Sequence, residues 1–414
     1  MKTINISKAK PGMVLGREVV NRDGRRLFDA GIVLSEKMIR TLKMWGILEV
    51  TIPTDTIPED LPPPNAPPGR TRLDNGKKKA VLAHHFRHND LENSVIKDIY
   101  ALSFERIETC PEVLSFLQEP SKKGPGKSDV HDPYPVNGIH SLLADEIKLP
   151  ALPTIFSQIN AAIKNPSCSG KDIAEIVSKD TSLSATILKI VNSAYYGFDE
   201  PVESLAYAAM VLGSQQVCSL ALGITVINYF KGLPGNRINM QSFWRHSVAC
   251  GITAQILASH VEKVNKERVF IGGLLHDIGQ LVFLCYYPGT AGIAFGQAEK
   301  LGLFPHQVEP RYFGMTHAVF GSLMADKWNF SAHISAQIRH HHDDFKEKPP
   351  REIAIVYVSN WLVNAVGIGS SSRYNLPRLN MNAWQALGIT HRVLEPVIRQ
   401  LDRQLVEAIK FFYE

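Results

Sequence analysis

Residues 272–283 read GGLLHDIGQLVF, which sets His276 beside Asp277 inside an apolar run. Burying an imidazole against a carboxylate is costly unless both are partnered or share a cation. Such a pair either holds a metal that cleaves phosphate esters or is the remainder of such a site in a protein that only binds. Other ligand-type side chains share the stretch: His246 in FWRHSVA, His317 in THAVFG, and His340, His341 and His342 in RHHHDD. Imidazole nitrogen and carboxylate oxygen together suit the borderline divalent ions Fe, Mn, Zn and Ni. One carboxylate can also bridge two ions.

Taken singly, each residue has a plainer reading. His246 shares a helix face with Ala249, Cys250 and Thr253, as a satisfied core histidine does. His317 reads as a surface or cap residue, and the triple-histidine run as solvated. His84, His85 and His88 in AHHFRHND have no carboxylate at a useful spacing. The joint pattern carries the weight, because several ligand-type side chains fall inside helices.

The elements that must position them are helical. From about Gly138 to the C-terminus the chain reads as almost continuous helix. Helix-period patterns run through PTIFSQINAAIK, GKDIAEIVSK, SLSATILKIVNSAYYG, SFWRHSVACGITAQILASHV, THAVFGSLMADKW and EIAIVYVSNWLVNAV. Strands do not alternate with these helices, and neither a dinucleotide fingerprint nor a P-loop is present. Residues 1–53 read as a small β-containing module. In it MVLGREVVN and ILEVTI have strand character, and Met38, Ile39, Leu42 and Trp45 share one helical face between Ser35 and Gly46. Residues 54–79 form a proline-rich linker with a basic end, residues 80–119 a helical segment, and residues 120–137 a second linker.

Composition narrows the class. The 414 residues are 44% hydrophobic and 21% charged with a net charge of +5, which is ordinary for a globular protein and implies no nucleic-acid partner by itself. Five dispersed cysteines without a CxxC pair fit buried thiols in a reducing compartment. The opening MKTINISKAKPGM has no apolar run of the kind a leader would need, and no stretch is expected to cross a bilayer. A cytoplasmic location is the expectation.

The order His246, His276–Asp277, His317, His341–His342 resembles the HD superfamily of metal-dependent phosphohydrolases, and within it the HD-GYP branch. LPALPTIFSQINAAIKNPSCSGKDIAEIVSKDTSLSATILKIVNSAYYG followed by VESLAYAAMVLGSQQV closely resembles the HDOD (HD-related output) domain of bacterial signalling proteins. The likeness runs over roughly residues 138–370, and a domain of that type is expected to fill residues 138–414. Residues 1–53 are similar, more weakly, to the N-terminal region of some HD-GYP proteins. The resemblance implies a mainly α, multi-helical fold and a metal set of His246, His276, Asp277, His317, His341 and Asn360. Gln280 and His342 then face phosphate or another ligand. The IxxHH spacing from Ile338 favours His341 as the inward histidine.

Departures from the pattern shift the expected function. Asn360 stands where the superfamily has its last aspartate, and it offers only a neutral carbonyl oxygen. HDIGQ replaces HDIGK, so Gln280 brings no positive charge to a phosphoryl transition state. HHHDDF runs where GYP belongs. The leading expectation is therefore a regulatory protein with a reduced metal site, acting as a binding or output module, with no catalytic residue singled out. Its expected partners are other signalling proteins and a nucleotide ligand, with neither membrane nor nucleic acid. The alternative is a metal-dependent phosphohydrolase acting on a nucleotide or cyclic dinucleotide. A third reading takes KDIAEIVSKDTSLSATILKIVNS as a DNA-reading helix pair. Its second helix lacks Arg, Asn and Gln for base readout, and Leu183, Ile187, Leu188, Ile190 and Val191 cover much of its circumference.

Overall fold

The computed structural model describes residues 2–6, 9–20, 26–35, 38–39, 42, 49–53, 75–110, 113, 117, 153–165, 168–192, 198, 200–231, 240–368 and 376–413. The chain divides into two compact units, Met1–Leu73 and Asp74–Glu414.

In the first unit β1 (Lys2–Asn5) pairs antiparallel with β4 (Glu49–Ile52), Lys2 opposite Ile52. β2 (Val19–Val20) pairs antiparallel with β3 (Arg26–Phe28). Two-stranded ribbons need an apolar face to persist. Here Val50 and Ile52 alternate inward along β4 and join Ile6, Met13, Leu15, Leu34, Ile39 and Leu42 in one small core. ILEVTI is thus a strand as its pattern predicts. MVLGREVVN is paired only in part, through a Val14–Val33 bridge and β2. The rest of the 35–46 helix lies outside the described residues, as do most of the 54–79 linker and all of the 120–137 linker.

The second unit is a stack of helices: α1 (Asn75–His85), α2 (Ser94–Thr109), α3 (Thr154–Lys164), α4 (Gly170–Ser178), α5 (Thr181–Val191), α6 (Leu205–Leu212) and α7 (Ser214–Lys231). There follow α8 (Met240–Ala258), α9 (Lys266–Leu275), α10 (Ile278–Tyr286), α11 (Pro288–Leu301), α12 (Pro305–Phe313), α13 (His317–Lys327) and α14 (Ala332–Arg339). α15 (Arg351–Ala365), α16 (Met381–Ala386) and α17 (Leu394–Tyr413) complete it. Their starts are written in capping residues. Ser169 and Asp172 form a reciprocal capping box before α4, Asp180 caps α5, Asn265 caps α9 and Thr316 caps α13.

α8 is buried on nearly every side and packs against α9, α15 and α17, as an all-round apolar helix must. α17 is its amphipathic cover. Leu394, Val397, Ile398, Leu401 and Leu405 turn inward at helical spacing, each at most 3% exposed. α5 likewise buries Leu183, Ile187, Ile190 and Val191 and packs on α7 and α17. Its apolar face is spent on packing.

Two expectations change. Residues 75–79, assigned to the linker, are the first turns of α1. Their lysines favour helix, and Lys78 is anchored by Glu108 of α2 at 2.9 Å. Second, Lys266–Tyr286 is long and apolar enough to cross a membrane, with mean hydropathy 1.6, although no such stretch was expected. The stretch is apolar because α9 and α10 form the centre of the helical core, with 89% of it buried there.

Leu401→Ala should cost about 2–5 kcal/mol, the range for deleting a fully buried leucine. Urea unfolding measures it, and a loss below about 0.5 kcal/mol, the surface range, would show that α17 is not part of the core.

Candidate metal centre

α9 ends at Leu275 and α10 begins at Ile278, leaving His276 and Asp277 at the corner between them. The corner is fully inside the protein, with His276 0% and Asp277 2% exposed. Two close helix approaches put it there. A Cβ on Gly273 would lie 2.8 Å from the Cys250 carbonyl oxygen, so α8 and α9 cross backbone to backbone. A Cβ on Gly279 would lie 2.1 Å from the His317 carbonyl oxygen, so α10 touches the start of α13. Glycine is required at both positions by contact alone.

Four imidazoles converge on the Asp277 carboxylate. Oδ1 lies 3.2 Å from His317 Nε2 and 3.4 Å from His341 Nε2. Oδ2 lies 3.2 Å from His276 Nε2 and 3.7 Å from His246 Nε2. Each oxygen therefore faces its own pair of rings, as in a carboxylate bridging two positions.

The far side of each ring fixes its tautomer. His246 Nδ1 is 2.8 Å from the Ile368 carbonyl, His276 Nδ1 is 2.7 Å from Gly273 and His341 Nδ1 is 2.6 Å from Ile338. A carbonyl oxygen only accepts, so each Nδ1 carries hydrogen and donates. The neutral ring then aims a bare Nε2 lone pair at Asp277, the form in which histidine binds metals. Burial, with His276 adding to it, pushes His246 down to about 4, and burial pushes His341 down to about 4. Both rings are therefore neutral near pH 7.

His317 differs. Its Nδ1 donates to Glu309, with oxygens at 2.7 and 2.8 Å, and Glu309 Oε2 also accepts the His317 backbone N–H at 2.8 Å. Burial works against a charge on this ring. The negative charge of Glu309 and the hydrogen bonds to Asp277 and Glu309 outweigh it and raise the ring to about 10. Burial likewise opposes charge on Asp277. The imidazoles gathered around its carboxylate, His276 foremost, still hold it well below the usual carboxylate range.

The donor set fits a cation. His276 Nε2 and Asp277 Oδ2 are both buried without a hydrogen-bond partner, yet 3.2 Å apart. A proton or a metal ion between the two atoms would relieve that contact. Among the described residues, two groups could hold an ion: Asp277 with His317, His341 and His342, and His246 with Cys250 and His276.

The remaining expected residues fall around this cluster. His342 Nε2 is 3.2 Å from His317 Nε2, and its ring stacks on His306 at 4.2 Å. His340 turns away and pairs with Asp343 at 2.6 Å. Asn360, on α15, lies beside His246 and accepts from the Asn364 amide at 2.8 Å. Gln280 is 3% exposed. Gln280, Asn360, His317, His341 and His342 all border a cavity of about 540 Å³. Arg378, Trp361 and Tyr357 line it too.

Glu309, His306 and Arg378 were not picked out from sequence. Glu309 lies in HQVEPRYF, eight residues before His317, with nothing periodic to mark it.

An all-helical core around a buried Asp–His cluster defines the class. Residues 149–344 match the HDOD domain family. A protein of Treponema pallidum without an assigned role is 28% identical over 204 residues, covering 49% of this chain and 39% of its own length. This chain thus spans about two fifths of that relative. A Geobacter sulfurreducens HDOD domain protein of unknown function superposes with TM-score 0.57 at 21% identity, over 67% of this chain and 97% of that one. A Shewanella amazonensis protein, named as a candidate phosphohydrolase, superposes with TM-score 0.54 at 20% identity, over 68% and 99%. At those identities the likeness is one of fold.

Glu309→Gln should weaken divalent-metal affinity about 10–100-fold, the usual effect of losing a carboxylate behind a ligating histidine. Competition with a chromophoric chelator reads it, and unchanged affinity would remove Glu309 from the site. Gly279→Ala should destabilise the fold by about 1–3 kcal/mol by overpacking α10 against α13. An unchanged denaturation midpoint would contradict the close approach.

Proposed function

We propose that this chain is a signal-transduction protein whose HDOD domain holds a divalent cation at Asp277 and takes a small anionic ligand in the adjoining cavity. In this reading the domain is a binding or output module and not a turnover enzyme. The observation that carries it is the buried, partnerless pair of His276 Nε2 and Asp277 Oδ2 beside a cavity of about 540 Å³, a usual size for a small-molecule site.

A divalent ion bound there supplies Lewis-acid polarisation of a phosphate oxygen and balances the carboxylate charge. The chain's own residues do the rest. Backbone carbonyls behind His246, His276 and His341 lock the rings, and Glu309 orients His317. Arg378 brings a positive charge to the cavity wall, which Trp361 and Tyr357 also line. That combination suits a nucleotide. Asn360 and Gln280 are neutral, so they can position a ligand without stabilising the charge that builds up in phosphoryl transfer.

One observation favours a second reading, a phosphohydrolase: the cavity reaches His317, His341 and His342 themselves, so a ligand phosphate can approach one face of the cluster. The proposed partners are other signalling proteins, with the cytoplasm as the working compartment. The basic run Lys77–Lys79 belongs to α1 and gives no aromatic platform for nucleic acid.

Elemental analysis of untagged protein, with a phosphodiesterase assay on the same batch, tests the reading. Stoichiometric Fe, Mn, Zn or Ni without turnover is expected. Turnover by the wild type would replace the binding module with the hydrolase, and absence of metal even after loading would remove the cation from both. Asn360→Asp should raise metal retention by restoring a negative charge beside His246.

A further inference from the structure

Resting on the metal reading above, we infer that Cys250 is a metal ligand, supplying as a thiolate the negative charge that Asn360 does not. It would act with His246, His276 and Asp277 Oδ2 in a four-donor N2SO site on the α8 face of Asp277.

The argument begins with helix geometry. Cys250 follows His246 by one turn of α8, so the two side chains share a face. The close crossing at Gly273 presses this turn of α8 against the end of α9, where His276 begins the corner. Cys250 Sγ is 3.6 Å from His246 Nε2, and the donor atoms of His246, Cys250 and His276 all lie within 4.8 Å of one another. Sulfur at about 2.3 Å and nitrogen at about 2.05 Å from a tetrahedral zinc ion are themselves about 3.6 Å apart. Nitrogen and carboxylate oxygen on the same ion are about 3.4 Å apart, against 3.2 Å for His276 Nε2 to Asp277 Oδ2 and 3.7 Å for His246 Nε2 to the same oxygen.

A simpler reading makes Cys250 a core thiol donating weakly to His246 Nε2. That contact satisfies one lone pair. It leaves His276 Nε2 and Asp277 Oδ2 facing each other without a partner, and a cation held by all four donors resolves both. Charge favours the same arrangement. Among these donors and Asn360, Asp277 alone is anionic when Cys250 is a thiol, and its other oxygen faces His317 and His341. A thiolate completes the neutralisation of a divalent ion and selects softer metals, zinc or ferrous iron, over magnesium. On binding, the Sγ–metal bond forms and the thiol proton leaves to solvent.

Cobalt(II) titration of the full chain, followed in the near ultraviolet, tests the assignment. The wild type should show a thiolate-to-cobalt charge-transfer band, and Cys250→Ser should lose it. The double variant Cys250→Ser with Asn360→Asp should bind cobalt without the band. X-ray absorption of the zinc-loaded wild type needs no variant and should show one sulfur at about 2.3 Å. Cobalt bound without the band, or a band that survives in Cys250→Ser, would overturn the ligand role while leaving the metal reading intact. A wild type that binds neither cobalt nor zinc would overturn both.

Discussion

The core of the second unit is organised around one carboxylate that water does not reach. Asp277 sits at 2% exposure with four imidazole nitrogens within 3.7 Å. A buried charge of this kind is tolerable only if every neighbour is aimed to compensate it. The aiming is done at a distance, by main-chain carbonyls that hold three of the rings and by Glu309, which holds the fourth. Helices α8, α9, α10, α13 and α14 each bring a ring, the carboxylate or a close backbone contact. The apolar packing of the core therefore doubles as the alignment of the site.

Much of this was legible in the sequence. His276 and Asp277 stood out because polar residues in an apolar run demand an explanation. His246, His317 and His341 followed as ligand types inside helical patterns, and α4, α5, α8, α13 and α15 fell where their periodicity put them. Glu309 was hidden because a carboxylate on an ordinary amphipathic helix looks solvated until the fold buries it against His317. Gly273 and Gly279 were hidden for a related reason. Their role is a tertiary close approach, and no local pattern separates that from a helix-weakening glycine. The first turn of α1 was misplaced because lysines next to a proline-rich stretch resemble a tether, while the contact of Lys78 with Glu108 is tertiary.

Asn360 and Cys250 bring the functional question down to charge. One face of Asp277 opens through His317, His341 and His342 to a cavity with an arginine and aromatic walls. The opposite face is closed and holds His246, His276 and Cys250 at 0% exposure. A cation on the closed face would tie the α9–α10 corner to α8, whereas one on the open face would lie beside the cavity.

The most direct test of a cation at Asp277 is anomalous diffraction from crystals of the metal-loaded protein, recorded above and below the absorption edge of the added ion. The account predicts a peak within bonding distance of Asp277 Oδ2, His276 Nε2 and His246 Nε2. Ordered metal confined to the protein surface, with no anomalous density beside Asp277, would contradict it.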